Sequence, residues 1–107
     1  MTPNTTTFDP FTRPVRLPVR GAMIFHTLDY TLLGSPMEVA AEMHARALFL
    51  APMPFRDYCA GILRALAANG AEVCPLGQTD EDAARAVLQS LLDAGQARVR
   101  LVRPDCN

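Results

Sequence analysis

The run from Gly34 to Gly95 narrows the possible folds of this chain most. Within it, apolar residues recur at three- and four-residue steps in three segments, each bracketed by residues that start or stop helices. The first segment opens on Gly34-Ser35-Pro36-Met37-Glu38. Ser35 is placed to cap and Pro36 to take the first helical position, where its missing N–H is not needed. Glu38, three residues after the cap, completes a capping box. This helix is expected over about 36–50. Val39, Ala40, Met43, Ala47, Leu48 and Leu50 lie on its apolar side, His44 lies at the edge, and Glu38, Glu42 and Arg46 lie on its wet side. Pro52 blocks continuation and Pro54 suits a new first turn, so a second helix is expected over about 54–69. Its stripe is Phe55, Tyr58, Cys59, Ile62, Leu63 and Leu66, and Asn69-Gly70 ends it. A third helix, over about 79–94, is capped by Thr79, carries Asp80, Glu81 and Asp82 in its positive first turn, and stops at Gly95. Its apolar side holds Ala83, Ala84, Val87, Leu88, Leu91 and Leu92.

The flanking segments change period from 3.6 to 2. From Ala22 to Leu33, Ile24, His26, Leu28, Tyr30 and Leu32 fall on one, more apolar face, and Met23, Phe25, Thr27, Asp29 and Thr31 on the other. One strand over about 22–33 is expected, long enough that a bend or bulge near Thr27–Asp29 belongs to the expectation. A second strand, about 97–103, alternates Ala97, Val99 and Leu101 with Arg98 and Arg100 and stops before Pro104. Counting direction through three antiparallel helices makes the two strands run the same way. The fold class is therefore α+β, a three-helix core on a small sheet. Two strands alone are marginal, so a third is expected from the N-terminal arm, from Val73–Leu76, or from a partner chain. Residues 1–19, with Pro3, Pro10, Pro14 and Pro18, read as a proline-rich arm, and residues 20–107 as a single small domain.

Size and composition set the outer bounds. A 107-residue chain, half hydrophobic and one-fifth charged, forms one ordinary globular domain. No apolar run approaches the roughly 20 residues of a membrane span, so no membrane partner is expected. The N-terminus lacks a basic region followed by an apolar one, so no secretory leader is expected. Cys59, Cys74 and Cys106 are odd in number, without C-x-x-C spacing, which fits a reducing, cytoplasmic setting. Every basic residue is arginine, which reads as bacterial-like genome composition. Charge is uneven. Residues 30–95 hold four arginines against eight acids, whereas residues 1–29 and 96–107 each hold three arginines, against two acids and one. The body is acidic and both ends are basic.

No pattern points to catalysis. There is no nucleophile elbow, phosphate loop, dinucleotide fingerprint or zinc-protease helix, and the histidines and cysteines lack metal-ligand spacing. The acids at 80–82 lack the alternating ligands and glycine of a calcium loop and read as capping residues. No enzyme activity, cofactor or metal is expected. The first functional reading is a protein–protein interaction or assembly module that self-associates, as a homodimer completing a short sheet or through an embracing arm. Phe8, Phe11, Met23, Phe25, Arg98 and Arg100 are its candidate interaction residues. The second reading is a nucleic-acid-binding regulator using the arginine-rich ends. The stretch Leu88-Gln89-Ser90-Leu91-Leu92-Asp93-Ala94-Gly95-Gln96-Ala97-Arg98-Val99 resembles the helix-to-wing passage of winged-helix domains. That resemblance implies DNA or RNA as partner. The chain departs from the pattern where its third helix opens on three acids, at the place where a recognition helix faces phosphates, and little chain follows for a second wing strand. Net charge is −1, so no global basic field draws nucleic acid in.

Overall fold

The computed structural model describes residues 16–18, 21–47 and 50–102. It contains strands β1 (Met23–Thr27), β2 (Thr31–Gly34) and β3 (Ala97–Leu101), and helices α1 (Pro36–Ala45), α2 (Phe55–Ala68) and α3 (Asp80–Asp93), in the order β1-β2-α1-α2-α3-β3. The expected α+β fold with a three-helix core is what forms.

The helix starts follow the local chemistry. The Ser35 hydroxyl accepts the Glu38 N–H at 3.2 Å while the Glu38 carboxylate accepts the Ser35 N–H at 2.9 Å, closing the capping box. Thr79 and Asp82 make the same reciprocal pair at the start of α3, with Asp in the position usually held by Glu or Gln. Helix α1 is shorter than expected. It ends at Ala45, with Arg46 as C-cap, and the chain reaches α2 through tight turns in which Leu50 N–H bonds Ala47 O and Met53 N–H bonds Leu50 O. Pro52 lacks the N–H that a continuing helix would need and disfavours helical backbone at Ala51. Leu50 is consequently 45% exposed rather than part of the apolar stripe.

The sheet corrects the strand reading in three linked ways. Residues 22–33 form a hairpin, not one strand. The Thr27 N–H bonds Tyr30 O at 2.8 Å, and the Thr27 hydroxyl accepts from Asp29 and Tyr30 N–H while donating to Tyr30 O. The third strand therefore comes from within this segment rather than from the arm, Val73–Leu76 or a partner. The extra reversal also inverts the direction count, so β3 pairs with β1 antiparallel, not parallel, in a sheet of order β2-β1-β3.

The hairpin decides which residues face inward. Its two-residue loop places Phe25 opposite Leu32, with Val99 on the other side of Phe25. Even-numbered Leu32 thus joins odd-numbered Met23 and Phe25 on the buried face. Continuous period-two counting had put Leu32 with Ile24 and His26. Helix α1 packs on this face at β2 and α3 at β3, while α2 packs on α3. Helix α3 lies innermost, against α1, α2 and β3, and buries Ala83, Ala84, Ala86, Val87, Leu88, Ser90, Leu91 and Leu92. Its alanines let neighbouring backbones approach, and Val39, Met43, Tyr58, Cys59, Leu63 and Leu66 fill the rest of the core. Leu17, within the arm reading of 1–19, is also a core residue, and its N–H donates to Gln89 Oε1 at 3.1 Å.

Candidate interaction surface

With the helices on one side, the other face of the sheet is uncovered among the described residues. Register places two cross-strand rows there, Leu33–Ile24–Arg100 and Thr31–His26–Arg98. Across the hairpin, His26 Nδ1 lies 3.0 Å from Thr31 Oγ1. Leu33 is 68% exposed beside half-buried Ile24, and Leu28, at the hairpin tip, is 95% exposed. At the far end of β3, Leu101 and Val102 are also exposed. Val102 N–H bonds Ala22 O at 3.2 Å. Antiparallel alternation then turns the backbone groups of Val99 and Leu101 away from β1, toward the outer edge of the sheet.

The six expected interaction residues separate. Arg98 and Arg100 lie on the uncovered face. Met23 and Phe25 have no exposed surface; they belong to the core and cannot meet a partner in the folded chain. The parity shift at the turn is the reason. Phe8 and Phe11, with residues 1–15 generally, lie outside the described residues. Ile24 and Leu28, which continuous alternation puts on the more apolar face, lie at the surface, and Leu33 and Thr31 join them without being among the expected interaction residues. The signal that would have found them is the Thr27-Leu28-Asp29 turn chemistry, which splits the alternation.

Titratable groups elsewhere serve packing. Burial pushes the Cys59 thiol up to about 11, with the nearby Asp80 charge adding, so Cys59 stays a protonated core thiol at neutral pH. Burial likewise raises Tyr58 to about 12. The His44 ring stacks on Tyr58 with centroids 4.7 Å apart and tilts against Phe55 at 5.8 Å, joining α1 to α2. Arg46 sits over the Tyr30 ring at 5.5 Å and meets Glu42 at 2.8 Å. Among the described residues, no group of three His, Cys, Asp or Glu side chains is arranged to hold a metal ion, and no helix is long and apolar enough to cross a membrane.

Comparison with protein-family models, with curated proteins and with solved structures finds no match to this chain.

Proposed function

We propose that this chain is a non-enzymatic protein-interaction module that self-associates as a homodimer, the uncovered face of its sheet packing on the same face of a second copy. The observation that carries this reading is the placement of Ile24 and Leu33 side by side on a face no helix covers. Two such faces stack about 10 Å apart in sandwich packing. A two-fold axis parallel to the strands lays β3 of one copy over β2 of the other. Arg98 and Arg100 then extend their aliphatic stems across Thr31 and Leu33 instead of meeting each other. Edge-to-edge pairing of two β3 strands fits less well, because antiparallel pairing about Val99 sets Arg98 opposite Arg100 of the second copy.

The nucleic-acid reading has weaker support. Its recognition helix would be α3, and eight of the fourteen residues of α3 are buried against the rest of the domain. What favours it is the pair of arginines on the sheet face.

Sedimentation of the full-length chain tests the proposal. A dimer at micromolar concentration that Leu33→Glu converts to a folded monomer is the expected result. A monomer persisting to several hundred micromolar overturns it. Salt-sensitive retention on DNA or RNA that is lost in Arg98→Glu/Arg100→Glu supports the nucleic-acid reading instead.

A further inference from the structure

On the helical side of the molecule, a cleft of about 480 Å³ lies between α3, the connector leading into it, and the segment around Leu17. Its floor is one stripe of α3, Asp82, Arg85, Ala86 and Gln89, at i, i+3, i+4 and i+7. Cys74, Pro75 and Gly77 form one wall and Arg16 and Leu17 the other.

Hydrogen bonds from several elements hold these walls. Leu17 N–H donates to Gln89 Oε1 at 3.1 Å, and Cys74 N–H donates to the buried Ser90 hydroxyl at 2.9 Å. The Arg56 guanidinium, from α2, donates to the carbonyls of Gly77 at 2.6 Å and Thr79 at 2.8 Å. In the connector, Gly77 has φ +77° and packs so tightly on Asp82 that a side chain there would collide with it. The backbone of the walls is therefore held before any ligand arrives, which lowers part of the ordering cost of binding.

Its electrostatics select a sign. Two arginines, Arg16 and Arg85, line it, and among the described residues neither makes a hydrogen bond or ion pair. The one carboxylate in the lining, Asp82, is turned to the helix start, where Oδ2 accepts the N–H groups of Gln78 and Thr79. Leu17, Pro75 and Ala86 add apolar surface. The volume falls within the roughly 300–1,000 Å³ usual for small-molecule pockets. A planar carboxylate matches a guanidinium fork, and an apolar body matches the remaining wall.

We propose that this cleft binds a small organic carboxylate, its anionic group between Arg16 and Arg85 and its apolar body against Leu17, Pro75 and Ala86. This site lies away from the sheet face and does not depend on self-association.

The test is an NMR titration of the ¹⁵N-labelled full-length chain with benzoate, its uncharged analogue benzamide, and inorganic phosphate. Saturable shifts at the amides of Cys74, Gly77, Ala86 and Gln89 with benzoate, absent with benzamide, are expected. Arg85→Gln, and separately Arg16→Gln, each weaken benzoate binding about tenfold, with the amide dispersion of a folded chain retained. Four results overturn the proposal: no saturable shift with benzoate, equal response to benzamide, unchanged affinity in both variants, or phosphate binding as tightly as benzoate. The last would mark a simple counter-ion site.

Discussion

Ser90 and Cys74 are joined by one hydrogen bond: the Ser90 hydroxyl, without solvent exposure, accepts the Cys74 backbone N–H at 2.9 Å. It ties the connector between α2 and α3 to the most buried helix. Ser90→Ala leaves that N–H half-buried without its acceptor, at a cost of about 1–3 kcal/mol. The urea midpoint should fall with an unchanged slope. An unchanged midpoint would mean that water replaces the hydroxyl freely.

Gly77 and Gly70 give a paired prediction. Both have positive φ, +77° and +93°, but only at residue 77 does an added Cβ meet Asp82; at residue 70 it meets nothing. Gly70→Ala should cost about 1 kcal/mol, from backbone strain alone. Gly77→Ala should cost above about 2 kcal/mol, since the collision adds to the strain and the obstructing atom is the Asp82 Cβ rather than a mobile side-chain end. Equal thermal midpoints for the two variants would contradict the close approach.

Asp82 links the start of α3 to pH. The N–H of Thr79 and then that of Gln78, with the Thr79 side chain and Arg56 adding, hold its carboxyl below the ordinary 3.8. A group with a depressed folded-state pKa stabilises the fold above its unfolded pKa, and that contribution is lost as pH falls through the folded value. Asp82→Asn should therefore lower stability at neutral pH and flatten its decline as pH falls through and below the ordinary carboxylate range. Curves that stay parallel through that fall would show that Asp82 does not drive the acid limb.

The hairpin register makes Phe25 and Leu28 opposites. Phe25 has no exposed surface and Leu28 is 95% exposed. Phe25→Ala should cost about 3–5 kcal/mol through cavity formation, and Leu28→Ser within about 0.5 kcal/mol. If Leu28→Ser were the more damaging in chemical denaturation, the facing described here would be reversed.

The helices were readable in the sequence because their signals are local. Ser35, Pro36 and Glu38 announce α1 within four residues, and α2 and α3 begin and end within about a residue of expectation. The uncovered face was readable only at β3, where Arg98 and Arg100 alternate with Val99 without interruption. On the hairpin, alternation continued through the turn looks like one strand, which places Met23 and Phe25 outward and Ile24 inward. The cleft was not legible at all, since Arg16, Cys74 and Arg85 are far apart in the chain.

The sequence by itself determined three capped or proline-bounded helices, their apolar stripes, and a β period on either side. Those features depend on interactions spanning one helical turn or one strand pleat. Tertiary structure decided the strand count, the antiparallel placement of β3, and which hairpin residues are buried. Each of those follows from a single reversal at Leu28 and Asp29, held by the Thr27 hydroxyl and by burial of Phe25 and Leu32 beneath α3 and its neighbours. A two-residue turn shifts side-chain parity by one and inverts direction for everything after it. Packing against residues distant in sequence, added to the local Thr27 hydroxyl bonds, selects that turn over a continuous strand.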